Sequence, residues 1–236
     1  MATFGTLSSA RIPAFRASEG AGTTTLTVGD SRHQIFNLSA GRTCVLPSAG
    51  IKKGDVITLE NLNDFLLTVQ ASNLSEITTA AGPTGNMGIA SIFRGVSQLV
   101  ANQDTPTTPA HWLTIHVEEN GVYTPTLTNG ANVQATTPYA INFSRLNTLV
   151  TVNGRIDVYA TASGFALTVV DISLPKASNI VTQQDLAGVS VTSDSGVSMG
   201  AGFILGNTTS DRAILSYNST TSINKETWFN FMYILK

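Results

Sequence analysis

The chain has 236 residues, a net charge of −2 and only 12% charged residues, although 42% of its residues are hydrophobic. This length allows one large β domain or two domains of about 110 to 120 residues each. Its 13 Lys and Arg residues are scattered, so it lacks the basic stripe that nucleic-acid binding requires, and no apolar run reaches the roughly 18 residues of a membrane span.

Uncharged polar residues replace the missing charges, with 32 Thr and 22 Ser in the chain. Threonine suits a half-exposed strand, whereas Lys and Glu suit exposed helix faces. The single cysteine, Cys44, excludes an internal disulfide framework and lies in an apolar run that predicts burial. The first residues lack the continuous apolar region of a signal peptide, so we expect synthesis in the cytoplasm of the producing cell.

Residues 1–24 are mostly Ala, Ser, Thr and Gly, with isolated apolar residues at Phe4, Ile12 and Phe15. This composition is too poor in apolar residues to form a core. We therefore expect an extended N-terminal arm that becomes ordered against a partner, with these three residues as the attachment contacts.

Strand signals recur from Thr25 onward, in HQIFNLS, RTCVLP, DVITLEN, LLTVQA and HWLTIHVEENG. AGPTGNMG (81–88) and NQDTPTTPA (102–110) are predicted loops because Gly and Pro fit no strand interior. The run Glu118-Glu119-Asn120-Gly121 predicts a turn and a domain boundary. The first β domain is accordingly placed at residues 25–118.

The second half, residues 119–236, contains further apolar runs of five to nine residues separated by turn signals, and no helix of three turns is predicted. This spacing is typical of a sandwich or barrel. The sequence therefore predicts an all-β protein with two antiparallel β-sandwich or jelly-roll-like modules and an N-terminal arm.

The stretch TLVTVNGRIDVYA (148–160) contains Asn153-Gly154, the strongest short hairpin signal. A turn there would place Val152 opposite Arg155 on the same face, whereas a continuous strand lines up Val150, Val152, Ile156 and Val158. The continuous strand gives the cleaner separation of apolar and polar faces, so one long strand is predicted.

The last strand, TWFNFMYILK, is apolar on both faces, with Met232 and Ile234 beside Trp228 on one of them. Two interpretations remain open: a central strand buried on both sides by its own domain, or a strand with one face on the core and the other on neighbouring subunits. We select Trp228, Phe229, Phe231 and Tyr233 as candidate subunit-interface residues.

The search for chemistry yields no catalytic, cofactor-binding or metal site. GVSMG (196–200) has the spelling of a hydrolase nucleophile elbow, but an elbow needs a following helix and a later His, and every His precedes Ser198. His111 and His116 are five residues apart, which places them on opposite faces of a strand. We expect a protein that is not an enzyme and uses no cofactor.

Several segments resemble a β-domain of tailed-bacteriophage virion proteins: GVYTPTLT, VTVNG, ISLPKAS, DRAIL and the aromatic last strand. The resemblance covers about residues 121–236, and TCVLP and KKGDVITLEN in the first half are similar more loosely to modules of phage fibres and spikes. These patterns contain no catalytic residues, so the resemblance transfers no active site.

The resemblance implies a structural protein on the virion that assembles as a homotrimer and contacts the major capsid protein or other virion proteins. A capsid-decorating or head-fibre protein is the first interpretation. A short tail fibre that recognises a host surface glycan is the second, with Tyr123, Tyr139 and Tyr217 as the best exposed aromatic candidates. A polysaccharide-cleaving tailspike is the third, but it requires a carboxylate pair, usually on a long β-helix, and no such sequence repeat is present.

Overall fold

A computed structural model describes residues 13–77, 90–162, 164–194 and 198–236. These residues form β-strands joined by turns, with two short 3₁₀ helices and no α-helix in the described ranges. The prediction of a β protein is confirmed. The chain divides into two compact units, Met1–Glu119 and Asn120–Lys236. The loop predicted at residues 81–88 lies outside the described residues.

The strands that begin in the first unit alternate between two sheets as far as β6. In chain order they are β1 (Ala14–Glu19), β2 (Gly22–Thr25), β3 (His33–Leu38), β4 (Arg42–Val45), β5 (Val56–Asn61), β6 (Leu67–Gln70), β7 (Arg94–Ala101) and β8 (Trp112–Tyr123). β1, β3 and β5 pair in parallel in one sheet, while β2, β4 and β6 pair in parallel in the other. The prediction of antiparallel pairing is wrong for these strands. The chain winds in successive coils, and each complete coil contributes one strand to each of the two sheets, so strands from successive coils run parallel.

The coils have unequal lengths, which explains why no repeat is visible in the sequence. Phe15 pairs with Ile35 and Thr24 with Cys44, a spacing of 20 residues in both sheets. The next coil is longer, because Ile35 pairs with Glu60 and Cys44 with Val69, a spacing of 25 residues. A short parallel coil therefore forms without the fixed period by which repeat folds are normally recognised.

Inward side chains of both sheets form one hydrophobic core, in which Phe36 and Leu59 of one sheet join Cys44 and Val69 of the other. Burial raises the pKa of the Cys44 thiol to about 12, so the thiol stays protonated at neutral pH. The buried, unreactive role predicted for Cys44 is confirmed.

The first coil closes one end of this core with charged side chains. The guanidinium carbon of Arg16 lies 5.7 Å from the centre of the Phe36 ring, and Glu19 lies 3.9 Å from Arg16 and 2.7 Å from Arg42. Coiled repeat folds need such a polar terminal turn. Residues 14–19 and 22–25 are therefore part of the unit, and the arm predicted for residues 1–24 is wrong over those strands.

β8 continues through the run Glu118-Glu119-Asn120-Gly121, where the sequence predicted a turn. Buried and exposed residues alternate along this run, as in any strand with one wet face. Glu119 is fully buried, and its carboxylate accepts a hydrogen bond from the backbone N–H of Phe93 at 2.8 Å. The turn prediction failed because Glu119 and Gly121 point inward within a continuous strand.

The second unit is antiparallel in every strand pair described for it. Its further strands are β9 (Leu127–Asn129), β10 (Val133–Pro138), β11 (Ile141–Leu146), β12 (Leu149–Ala160), β13 (Ala166–Ser173), β14 (Leu186–Asp194), β15 (Ser198–Asn207), β16 (Arg212–Ser219) and β17 (Asn224–Ile234). The order across the sheet is β12-β17-β14-β15-β16-β13-β9, and both β10 and β11 pair with β12. β17, the last strand in sequence, is thus central in the sheet.

β12 runs straight through Asn153-Gly154, as predicted. Val150, Val152, Ile156 and Val158 are fully buried, and Gly154 lies directly opposite Phe229 of β17. The prediction of one continuous strand in place of a hairpin is confirmed.

Candidate functional site: the motif framework and the outer face of the second unit

The segments that carry the phage resemblance meet in the second unit through hydrogen bonds. The Tyr123 hydroxyl donates to the carbonyl of Ser173 at 3.0 Å, and the backbone N–H of Thr126 donates to the Ser173 hydroxyl at 2.9 Å. Arg212 in turn donates to the carbonyl of Thr126. Burial raises the pKa of Tyr123 above its ordinary value, which keeps the hydroxyl protonated as a donor.

A second set of bonds fixes the ISLPKAS segment. The Asp211 carboxylate accepts from the backbone N–H of Ser178 at 2.8 Å and of Ile180 at 3.1 Å. The Tyr233 hydroxyl donates to the carbonyl of Lys176 at 2.8 Å and accepts from its N–H at 3.2 Å. We call these bonds, together with those described above for Tyr123, the motif framework. Its residues hold loops in place because they form hydrogen bonds with backbone groups that would otherwise lack a partner.

The solvent-exposed side of the sheet of the second unit carries a set of large apolar side chains that we call the outer face. It comprises Leu149 of β12, Val189 of β14, Phe203 of β15, and Trp228, Met232 and Ile234 of β17. Leu149 lies directly opposite Ile234, and Val189 directly opposite Phe203. Cross-strand neighbours of this kind are about 5 Å apart, and one groove is lined by both Val189 and Trp228, so the outer face is contiguous.

The outer face is open to solvent in the single chain. Val189 is 65% exposed, Phe203 53% and Met232 49%. A shallow groove of about 220 Å³ runs between β14 and β17, with Val189 and Val191 on one side and Trp228 and Asn230 on the other. An apolar area of this kind marks an interaction surface more often than scattered single residues do.

The structure divides the predicted interface residues between the two sides of β17. Phe229, Phe231 and Tyr233 are at most 5% exposed, because they point into the core of the second unit and are covered by its own strands. Trp228 points outward and is 42% exposed. The interpretation of β17 as a strand buried on both sides by its own domain is therefore wrong.

Arg155 lies at one end of the outer face between two aromatic rings. Its guanidinium carbon is 4.9 Å from the ring centre of Tyr139 and 5.7 Å from that of Trp228. Arg155 also pairs with Asp157 at 3.0 Å and Glu226 at 2.9 Å. The Tyr139 hydroxyl donates to Asp157 at 2.9 Å, and this bond raises the pKa of Tyr139. The cluster holds its charges in mutual contact.

The other sequence-selected residues are the three apolar residues of the predicted arm and the three tyrosines. Phe4 and Ile12 are outside the described residues, and Phe15 is 59% exposed on β1. Of the tyrosines considered for glycan contact, Tyr139 is exposed, but Tyr217 is buried and Tyr123 is largely covered. The expectation of exposure is wrong for those two, since Tyr217 faces the core and the Tyr123 hydroxyl bonds a loop.

The segment that resembles a nucleophile elbow and the histidines have local structural settings. Ser198 begins strand β15, where an elbow would require a helix. His111 accepts through Nδ1 from the backbone N–H of Thr107 at 3.1 Å. Within the described ranges, no group of three or more His, Cys, Asp or Glu residues is placed to hold a metal ion. No helix in the same ranges is long and apolar enough to cross a membrane.

Sequence reasoning identified Trp228, Met232 and Ile234 as one face of the last strand but missed Val189 and Phe203. The missed signal is the alternation in AGVSV (187–191) and GAGF (200–203), where apolar residues alternate with Gly and Ser. If the large residues are assumed to point inward, as is usual, this alternation places Val189 and Phe203 on the wrong side of the sheet. No protein-family model matches the chain, and no curated protein or solved structure matches it either.

Proposed function

We propose that this chain is a non-enzymatic structural protein of a tailed-bacteriophage virion. In this proposal it is displayed on the particle surface as a capsid decoration or head-fibre protein, assembles as a homotrimer and contacts the major capsid protein or other virion proteins. It is made in the host cytoplasm and incorporated into the particle.

The motif framework carries this proposal. The polar groups of the phage-like segments form hydrogen bonds that hold the loops of one β unit in place. The residues concerned are Tyr123, Ser173, Asp211, Arg212 and Tyr233. Such a role is expected of motifs that belong to a scaffold, and it supports the resemblance at the level of the fold. Function does not follow from fold alone, so the position on the virion needs a direct test.

We further propose that the second unit is a β-sandwich. Support comes from its antiparallel pairing and from β17, which has one face on the core and one in solvent. Buried residues lie on β12, β17 and β14, and also on β13, β15 and β16. Two packed antiparallel layers are the usual way to bury such strands.

The test is to locate the protein in an image reconstruction of intact particles and to compare particles made with and without it. We expect density on the capsid, normal adsorption to cells, and earlier loss of DNA on heating in the particles that lack the protein. The stabilisation follows because a decoration protein binds only the assembled lattice. Density confined to the tail would contradict the capsid assignment.

A second candidate function is a short tail fibre that recognises a host surface glycan. The observation that favours it is the pair of exposed aromatic rings, Tyr139 and Trp228, on either side of Arg155. Exposed aromatics beside polar groups are common in ligand sites. Particles without the protein would then fail to adsorb while their capsids remain equally robust.

A further inference from the structure

Parts of β14 and β15 reverse the usual arrangement of strand side chains, although Leu186 and Ile204 in the same strands are buried in the usual way. In β14, Gly188 and Ser190 point inward, and Val189 between them points outward. In β15, Gly202 lies inward opposite Tyr217, while Phe203 is 53% exposed. An antiparallel strand with one wet face normally places its large apolar residues inward.

The inward glycines have a local cause, but the outward apolar residues do not. A Cβ on Gly188 would overlap with Phe231 of β17, and a Cβ on Gly202 would overlap with the Ser190 hydroxyl. The core thus needs small residues at these positions. Nothing in the core requires Val189 or Phe203 to be apolar, so their character points to burial by something outside the chain.

We propose that the outer face is the surface on which other copies of this chain dock. Its six side chains leave on the order of 600 Å² of exposed surface, at the upper end of what a typical monomer shows in one patch. A standard interface buries roughly 800 Å² per partner. The neighbouring Ala187, Ala201 and Asn230 bring the outer face to that size.

The charges and polar groups of this surface suit a second copy better than a different protein. Arg155 contacts both Asp157 and Glu226 within the chain, which reduces the charge at that end of the outer face to one net negative charge per copy and keeps the repulsion between copies small. The polar residues among the apolar rows include Asn153 and Asn230, which lie directly opposite each other, and Thr151, which lies opposite Met232. An amide offers both donors and acceptors, so the same side chain from another copy is its natural partner.

The number of copies rests on the proposed function, which gives a trimer. Three copies around a three-fold axis bring three outer faces together around one apolar interior, with each face packed on its two neighbours. A closed ring of this kind satisfies the symmetry that soluble oligomers show. Buried amides near such an axis can set register and copy number, as single Asn residues do in coiled coils.

The first experiment compares two valines of similar exposure. Val189→Lys places an ammonium group on the outer face, whereas Val181→Lys places the same group at a position that is 61% exposed and outside the strands. By analytical ultracentrifugation we expect a trimer for the wild type and for Val181→Lys. We expect a dissociation constant raised roughly 100-fold or more for Val189→Lys, because docking would bury an unpaired charge.

The second experiment reads the outer face directly through its tryptophan. The chain has two Trp residues, of which Trp112 is buried in the first unit and Trp228 lies on the outer face. Dilution of the wild type should dissociate the oligomer and expose Trp228 to water, which shifts the fluorescence emission maximum to longer wavelength. The shift should be absent in Trp228→Phe, which leaves only the buried Trp112. Circular dichroism of each variant checks that the fold is retained.

The results separate this inference from the proposed function. A Val189→Lys protein that remains trimeric, or a wild type that is monomeric at micromolar concentration, overturns the outer face as a docking surface between copies. If purified virions still contain the protein in that case, the virion assignment stands and another virion component covers the face. A dissociable trimer that is missing from virions leaves the inference intact and refutes the virion assignment.

Discussion

Single glycines in the strands of the second unit mark places where two elements approach closely. Gly154 is the clearest case, since it lies in the middle of β12 with Ile141 of β11 against it. A Cβ at this position would overlap with the Cβ and Cγ2 atoms of Ile141. The sequence showed that the strand continues through Asn153-Gly154, but which side chain occupies the space above the glycine depends on tertiary packing.

We expect Gly154→Ala to lower the free energy of unfolding by about 1–3 kcal/mol, the usual cost of overpacking a core. Gly29→Ala is the matched control, because the nearest atom to a Cβ there is the Thr27 hydroxyl at 3.7 Å. Urea unfolding of both variants and the wild type measures the difference. Equal midpoints for the two variants would show that β11 moves aside without cost.

The motif framework gives a second prediction at this scale, at Asp211. This residue has a φ of 53°, and its carboxylate accepts two backbone N–H groups. Asp211→Ala removes both acceptors and the side chain that tolerates a left-handed backbone, so we expect a loss of about 2–3 kcal/mol. Asp211→Asn keeps one acceptor oxygen and that tolerance, and should cost less. Chemical denaturation that ranks the two variants the other way would contradict the structural role of the motif.

At the scale of elements, the sequence predicts strands well and their partners poorly. Alternating apolar and polar residues indicated β3, β5 and β12, because a period of two is a local property. The parallel pairing of β1 with β3 joins residues 20 positions apart, and that of β3 with β5 joins residues 25 positions apart. No local pattern encodes that spacing, since the two coils differ in length.

A prediction about the end of β17 concerns acid stability. Lys236, just after β17, lies 2.6 Å from the Asp185 carboxylate, which also accepts from the N–H groups of Val181 and Thr182. The Lys236 contact and these N–H groups hold the pKa of Asp185 far below its usual range. A depressed pKa stabilises the folded state above the unfolded pKa of about 3.9, and this contribution is lost as the pH falls toward the folded value.

We therefore expect the thermal midpoint of the wild type to fall as the pH is lowered from 5 to 3, and to fall less in Asp185→Asn. The Asn variant should be the less stable of the two at pH 7, where Asp185 is ionised. Differential scanning calorimetry across this pH range gives the comparison. Parallel curves for the two proteins would show that the contact of Lys236 with Asp185 contributes nothing in solution.

At the scale of the whole molecule, the candidate surface was only partly predictable. The sequence of the last strand predicted an apolar face, because Trp228, Met232 and Ile234 lie at even spacings within one short segment. Val189 and Phe203 join that face only because β14 lies beside β17 in the sheet and β15 lies beside β14. Their outward direction follows from a core filled by Phe231 and Tyr217, which requires glycine on the inward side.

The last prediction tests where the molecule attaches to the particle. All described strands begin at Ala14 or later, so deletion of residues 2–12 removes none of them. It does remove Phe4 and Ile12, two of the three residues predicted to make the attachment. We expect the truncated protein to keep its circular dichroism spectrum and oligomeric state and to lose most of its occupancy on particles, measured by quantitative mass spectrometry of purified virions.

Phe15→Ser provides the companion variant, because Phe15 is 59% exposed and its removal leaves the core of the coil intact. Reduced occupancy for this variant would extend the attachment surface onto β1, where Phe15 lies opposite Ile35. If both variants bind particles at the wild-type level, attachment does not use the N-terminal segment. Removing the apolar contacts of an anchoring surface lowers its affinity for the lattice. Unchanged binding would therefore place the anchoring contact elsewhere on the two units.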